Sequence, residues 1–337
     1  MSESGQRVMQ AIESRRRRQR GAALAAVGIA MGAFIALTVV GVDLGRLAFT
    51  ATEVQTIADV GATAGAQALA TNFATGGSLN PVAQAQTAAA QNRVDGSTAS
   101  LAAGDVQVGN YNFATNAFAA GGLPSNAVRV NAQATVTNIV AGALGDALTT
   151  VQKTATAAFG GITSGAPVLP LAVGECHFQA FQGSGSCSDL PSLTQAPSPS
   201  DNTCWTSLGP NPASASQVSG YLPTTCCQGG NCGGGQPAPS VTVGSVINLV
   251  NGQMDSVLKI IKDCFDDGIR EFLVPVVTCN NCTHAMTVTG FATIRVDSVR
   301  ATGNPKGIWL TSFCKADAFE GGLGGTSFGT VSMALVR

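Results

Sequence analysis

A stretch of 22 residues without a charged side chain, Gly21–Val42, constrains this chain more than any other feature. As an α-helix it would rise about 1.5 Å per residue and reach about 33 Å, enough to cross a hydrocarbon core of about 30 Å. A cleaved signal peptide is the alternative interpretation, but its apolar region would span only about 7–15 residues and end in a cleavage site. We therefore expect an uncleaved transmembrane helix that anchors the rest of the chain.

Basic residues are concentrated immediately before this stretch. Residues 1–20 contain six arginines and two glutamates, although the formal net charge of the whole chain is only −1. By the positive-inside rule, this tail stays in the cytoplasm and the region after residue 42 is exported. The arginines could also bind anionic lipid or an acidic cytoplasmic partner. The candidate topology determinants are Arg15, Arg16, Arg17, Arg18 and Arg20.

Ten cysteines all follow residue 175, in the region that this topology exports. An even number of cysteines in an oxidising compartment predicts disulfide bonds. The pairing stays open, except that the adjacent Cys226 and Cys227 should bond to different partners. The disulfide candidates are Cys176, Cys187, Cys204, Cys226, Cys227, Cys232, Cys264, Cys279, Cys282 and Cys314.

Residues 43–70 contain no proline and continue the helix beyond the membrane. Their small and aliphatic residues recur at alternating steps of three and four, which predicts an amphipathic helix. Gly28 and Gly32, and again Gly61 and Gly65, have the small-xxx-small spacing that lets two helix backbones approach closely. We expect these four glycines to pack against other long helices, although glycine and alanine are common throughout the chain.

The predicted fold class is α+β, with a long N-terminal transmembrane and amphipathic helix followed by an exported, β-rich, disulfide-bearing region. The predicted organisation is a basic cytoplasmic tail (1–20), a transmembrane helix (21–42), an amphipathic helix (43–70), a small α+β region (71–165), a Cys/Gly/Pro-rich insertion (166–240) and a β-rich domain with one helix (241–337). Helical patterns occur at 84–94, 139–148 and 254–272. Strands are predicted at 128–137, which alternates, and at 151–159, which alternates less cleanly. Further strands are predicted at 285–297, 307–313 and 326–336, which are rich in Val, Thr and Phe and bounded by Gly, Asn and Pro.

Several motifs in residues 20–70 occur in a specific order. Arg20-Gly21-Ala22-Ala23 precedes the apolar run, Val42-Asp43-Leu44-Gly45-Arg46 follows it, and Val54-Gln55-x-x-Ala58-Asp59 comes next. In this order they resemble the N-terminal module of TadG-like proteins of the bacterial Tad (Flp, tight-adherence) pilus assembly systems. The resemblance implies the bacterial inner membrane as the location, with other Tad/Flp pilus-assembly proteins or pilins as partners.

Two properties of related proteins are not carried over. Prepilins of this system have Glu five residues after the glycine at their cleavage point, whereas Gly21 is followed at that spacing by Ala26. Larger TadG-like members carry a metal site that begins Asp-x-Ser-x-Ser, a pentad that this sequence lacks. We therefore expect neither prepilin processing nor a metal-dependent adhesion site.

Cys279 and Cys282 form a C-x-x-C, the best candidate for redox or zinc chemistry. A zinc site would need further ligands, and the chain has only two histidines, His177 and His284, and no second C-x-x-C. Because exported thiols are usually oxidised, we favour structural disulfides.

Four carboxylates on the helix predicted at 254–272 could suggest a cation site. Three basic residues lie among them, so we interpret the cluster as a solvated helix face. The carboxylates are Asp263, Asp266, Asp267 and Glu271, and the basic residues are Lys259, Lys262 and Arg270.

The hypothesis is therefore a non-enzymatic, membrane-anchored component of Tad/Flp pilus assembly, either an assembly factor or a minor pilin-like protein. It would act through lateral helix packing and an exported recognition domain. We expect no cofactor, no metal and no small-molecule substrate. With charged residues at 11%, we also expect no nucleic-acid partner. The alternatives are a cell-envelope adhesin or sensor that shares only the anchor module, and an exported hydrolase or thiol oxidoreductase.

Overall fold

The computed structural model describes residues 3–138, 147–195, 203–228, 231–279, 282, 284–316 and 322–336. The helical pattern at 139–148 therefore lies outside the described residues, except at its last two positions. The chain divides into two compact units. The smaller unit comprises residues 1–57, 92–99 and 132–153, and the larger comprises 58–91, 100–131 and 154–337.

The described residues contain a long N-terminal helix and four shorter ones. They are α1 (Glu3–Thr75), α2 (Pro81–Ala90), α3 (Gln179–Ser184), α4 (Ala215–Tyr221) and α5 (Asp255–Asp266). As predicted, α1 runs without interruption through both 21–42 and 43–70.

Two helix boundaries differ from the prediction for local reasons. Helix α2 begins at Pro81 rather than residue 84, because the Asn80 side chain accepts hydrogen bonds from the backbone N–H groups of the first turn and proline suits the first helical position. Helix α5 ends at Asp266 rather than Phe272, because the chain turns at Gly268 with φ +86°.

The strands follow the predicted patterns, with additional short pairings. They are β1 (Arg93–Val94), β2 (Ser97–Thr98), β3 (Val106–Asn112), β4 (Ala117–Ala120), β5 (Ala127–Thr137), β6 (Leu148–Ile162), β7 (Ser164–Gly165), β8 (Leu171–Gly174), β9 (Ser192–Gln195), β10 (Thr203–Thr206), β11 (Cys227–Gln228), β12 (Asn231–Cys232), β13 (Val241–Thr242), β14 (Val246–Val250), β15 (Glu271–Val277), β16 (Ala285–Arg300), β17 (Gly307–Phe313), β18 (Lys315–Ala316), β19 (Leu323–Ser327) and β20 (Thr330–Val336).

Fourteen of these strands join in one sheet with the order β14-β10-β8-β15-β16-β19-β6-β5-β3-β4. Outside that path, β17 pairs with β16 and β9, and β20 pairs with β6 and β18. Strands β8, β9 and β10 come from residues 166–240, so this segment contributes to the sheet and is not the separate insertion that we predicted. The predicted boundaries at 166 and 241 are therefore not boundaries between folded units. The α+β fold class, with its long apolar helix and β-rich, disulfide-bearing region, is confirmed.

The main core of the larger unit lies between α5 and the sheet. Val257, Leu258 and Ile261 on α5 are fully buried against β15 and β16. Burial of such a side chain contributes about 1.5–3 kcal/mol. Trp205 of β10 joins the same core, and its indole N–H donates a hydrogen bond to the carbonyl of Gly252 at 3.0 Å.

Candidate membrane and assembly surface

In the smaller unit, residues 26–42 of α1 are apolar and almost all exposed. From residue 26 onward, α1 is long and apolar enough to cross a membrane by length and composition. A helix with apolar side chains on all sides is stable only where something other than water surrounds it. The large exposed apolar residues are Leu24, Val27, Ile29, Met31, Phe34, Ile35, Leu37, Val40 and Val42.

Gly28 and Gly32 lie on this exposed part of α1. An added Cβ at Gly28 or Gly32 would meet no heavy atom within 4 Å. The face that they form is therefore open within the described residues, and a second helix backbone could approach it closely.

Arg46, four residues after the apolar stretch, makes several polar contacts. Its guanidinium donates to the Asp95 carboxylate at 2.7 Å and to the carbonyl of Thr137 at 3.1 Å. The backbone N–H of Asp95 donates to the Glu53 carboxylate at 2.9 Å. The hydrogen bond and the charge of Asp95 raise the pKa of Arg46, which therefore stays protonated. These contacts tie α1 to the end of β5 and to the β1–β2 hairpin.

Asp95 reaches α1 because of the hairpin turn that carries it. Asp95 and Gly96 are the two central residues between β1 and β2, and both have positive φ, at +48° and +78°. This is the turn geometry that Asp-Gly favours. Our sequence reasoning did not assign a role to Asp95, Glu53 or Thr137, although the Asp-Gly pair was a signal that predicts such a hairpin.

In the larger unit, Gly61 and Gly65 pack against other residues of the same chain. A Cβ on Gly65 would lie 2.9 Å from Val128 Cγ1, and a Cβ on Gly61 would lie 3.2 Å from Leu101 Cδ1. Glycine therefore lets α1 lie close against β5 and its neighbours. The prediction that Gly61 and Gly65 pack against another protein's helix is corrected, because this chain's own side chains cover them.

All ten cysteines are paired in the larger unit. Cys226 and Cys227 bond to different partners, as their adjacency requires. The pairs are Cys176–Cys279, Cys187–Cys314, Cys204–Cys282, Cys226–Cys264 and Cys227–Cys232. The first three join the segment 176–204 to the segment 279–314.

The two cysteines of the C-x-x-C do not bond to each other. Cys279 pairs with Cys176 and Cys282 with Cys204, so the motif is part of two separate cross-links. His177 lies beside the first of these, and burial lowers its pKa. Within the described parts of the chain, no three His, Cys, Asp or Glu side chains come together as metal ligands.

The predicted carboxylate cluster is divided between two elements. Asp266 ends α5 and pairs with Lys262 at 2.6 Å, whereas Glu271 begins β15 and pairs with Lys315 at 3.3 Å. The Asp266 pair has the i, i+4 spacing of a solvated helix face.

A cavity of about 360 Å³ lies beside the end of α1 in the larger unit. None of the described residues that line it has a titratable side chain. The lining residues are Gln67, Ala70, Thr71, Ala316, Val331, Ser332 and Met333.

Comparison with known protein families gives one match. Residues 64–157 match the family Tad_C, which describes Tad-like Flp pilus-assembly proteins. The matched segment runs from the end of α1 to the middle of β6. No curated protein and no solved structure matches the chain.

Proposed function

Because this chain is related to Tad/Flp pilus proteins over residues 64–157, we propose that it is a membrane-anchored, non-enzymatic component of pilus assembly. It acts as an assembly factor or a minor pilin-like protein. The observation that carries the proposal is the apolar, exposed segment 26–42 of α1, which continues as one helix to Thr75 and is followed along the chain by a β-rich, disulfide-bearing region.

The charge distribution supports an orientation in the bacterial inner membrane. The arginines of residues 15–20 hold the N-terminus in the cytoplasm by the positive-inside rule. The cysteine-rich region is then exported to the periplasm or beyond, where its five disulfides are stable.

The open face at Gly28 and Gly32 supports lateral packing against other membrane helices of the pilus machinery. Helix association in lipid depends on close backbone approach, and both glycines permit it. The exported region then serves as the recognition domain, held beside the partners of the helix. Side chains of the same chain cover Gly61 and Gly65. The proposed contact between α1 and other helices is therefore made within the membrane, at Gly28 and Gly32.

The test replaces Gly28 and Gly32 together by leucine and measures co-purification with pilus components from native membranes. We expect the co-purified amount to fall, because leucine holds two backbones apart. Gly41→Leu is the matched control, since Gly41 also meets no heavy atom within 4 Å but lies on the opposite side of the helix from Gly28. Unchanged co-purification in the double variant would contradict lateral packing at this face.

Cell fractionation distinguishes an assembly factor from a minor pilin-like protein and tests whether residues 21–42 anchor the chain in the membrane. Sheared surface fibres and inner membrane are blotted for the C-terminal region under non-reducing conditions. Chain in the fibres supports the minor pilin-like role, and chain confined to the inner membrane supports the assembly factor. Surface display without any pilus component would instead favour a cell-envelope adhesin or sensor.

A further inference from the structure

We propose that Leu148, the first residue of β6, is a second membrane contact and inserts into the lipid interface beside the point where α1 leaves the bilayer. The inference rests on the proposed function, because it assumes that residues 21–42 span the membrane. The occupant of this surface is lipid, with its headgroups and the upper part of its acyl chains.

The level of Arg46 relative to the bilayer follows from helix geometry. Arg46 is four residues beyond Val42, and four residues of α-helix rise about 6 Å. The interfacial region on each side of the hydrocarbon core is about 5–8 Å thick, from a core of about 30 Å and a total of about 40–45 Å. Arg46 and the groups that it contacts therefore lie in the interface.

Hydrogen bonds connect Arg46 to the end of β5 and, through Asn138, to the start of β6. Arg46 donates to the carbonyl of Thr137, the last residue of β5. The next residue, Asn138, donates from its backbone N–H to the carbonyl of Ala147 at 2.9 Å and from its side chain to Thr149 Oγ1 at 2.7 Å. Leu148 lies between these two partners, so it is placed directly beside the membrane exit of α1.

The character of the exposed face changes at Leu148. Along β6, residues 148, 150 and 152 are exposed and alternate with partly buried neighbours. Thr150 and Gln152 are polar, as a strand face in water should be, whereas Leu148 is 60% exposed. A large apolar side chain gains free energy here by leaving water, and only lipid lies at this level in the membrane-anchored chain.

Two exposed apolar side chains on α1 lie near the level of Arg46 along the helix axis. Leu44 and Phe49 are 62% and 65% exposed, although both follow the apolar stretch. They lie about 3 Å and 10 Å beyond Val42 along the helix axis, on either side of the level of Arg46. Leu44 is therefore at the interface with Leu148, Phe49 lies just beyond it, and Arg46 connects α1 to the strand end beside Leu148.

The test introduces single tryptophans as depth probes in the full chain with its disulfides intact. Leu148→Trp, Leu123→Trp and Phe34→Trp are reconstituted into phosphatidylcholine vesicles with or without brominated acyl chains, which quench tryptophan on contact. All three positions are more than half exposed, so the substitutions displace no packed neighbour. The emission of the wild-type chain is subtracted. Leu123 is the matched control, because it is also an exposed leucine but precedes the start of β5, whereas Leu148 lies beside the end of that strand.

We expect brominated lipid to quench the added emission of Leu148→Trp and Phe34→Trp, and to leave that of Leu123→Trp unchanged. Quenching at position 34 but not at 148 would overturn the lipid contact and leave the anchor intact. Equal quenching at 123 and 148 would also overturn it, since it would show unspecific adsorption. Without quenching at position 34, the anchor itself fails, and the proposed function fails with it.

Discussion

The contact between Gly65 of α1 and Val128 of β5 predicts a measurable coupling between two substitutions. In Gly65→Ala the new methyl group would lie 2.9 Å from Val128 Cγ1 and 3.2 Å from the carbonyl oxygen of Pro81. Such overpacking typically costs about 1–3 kcal/mol. Alanine in place of glycine in a helix recovers about 1 kcal/mol. We therefore expect Gly65→Ala to lower the free energy of unfolding by about 0–2 kcal/mol.

The partner substitution removes much of the clash. Val128 is fully buried, and Val128→Ala alone should cost about 1.6 kcal/mol, at about 0.8 kcal/mol per buried methylene equivalent. In the double variant the new methyl group occupies part of the space that valine leaves. The double variant should therefore be more stable than the sum of the single effects by about 1 kcal/mol, a coupling typical of residues in contact.

The assay is equilibrium urea unfolding of the detergent-solubilised chain with its disulfides intact, followed by the fluorescence of the buried Trp205. Gly45→Ala is the matched control on the same helix, since an added Cβ there meets no heavy atom within 4 Å. It should not lower the free energy of unfolding. Effects of Gly65→Ala and Val128→Ala that add within about 0.5 kcal/mol would refute the packing of α1 on β5.

Two further predictions concern the disulfide-bearing region. Replacing Cys187 and Cys314 by serine leaves Cys176–Cys279 and Cys204–Cys282 joining the same two segments, so it opens a loop of about 45–50 residues and should cost about 4 kcal/mol in the chain-entropy model. Replacing Cys227 and Cys232, with a separation of 5, should cost about 2 kcal/mol. Equal losses in urea unfolding would contradict this ranking. Burial lowers the pKa of His177 below its ordinary value of 6.5, so the folded chain binds this proton less readily than the unfolded chain. The neutral imidazole therefore contributes its full stability above pH 6.5, and this contribution is lost as the pH falls below that value. We expect the difference in unfolding free energy between wild type and His177→Gln to change between pH 8 and pH 5; a constant difference would contradict a lowered pKa of His177.

The elements that sequence predicted best are those with strong local signals. Residues 307–313 are rich in β-branched and aromatic side chains and follow Pro305, and β17 has these bounds in the structure. The strand predicted at 326–336 is interrupted at Gly329, where φ is +93°. A glycine inside a strand pattern indicates that such a break is possible, but the pattern does not say whether the chain uses it.

Long-range pairings could not be predicted in the same way. Strand β10 has only four residues, all buried, and it forms a strand because β8 and β14 lie on either side of it. Its local sequence resembles a cysteine-containing loop, so we assigned it to an irregular insertion. The inward role of Gly65 was missed for a related reason: small-xxx-small spacing predicts close approach but does not identify the approaching surface.

Of the candidate membrane and assembly surface, the sequence predicted the apolar span but not the contacts of Arg46. The apolar span and the arginine tail are properties of consecutive residues, so composition was sufficient to identify them. The contact between Arg46 and Asp95 joins two residues far apart in sequence, and no periodicity connects them. It depends on the hairpin turn and on the course of β5, both of which are set by tertiary packing.

The pairing of β20 with β6 has a consequence for secretion. One edge of β6 faces β5, and on its other edge Thr156–Gly160 pair with Ser332–Val336 of β20, so this edge cannot close until residues 332–336 are available. Contacts of such high sequence separation form slowly, and until they form β6 presents an unpaired edge. On the topology proposed above, the exported region therefore completes this part of its fold only after residues 332–336 have been translocated.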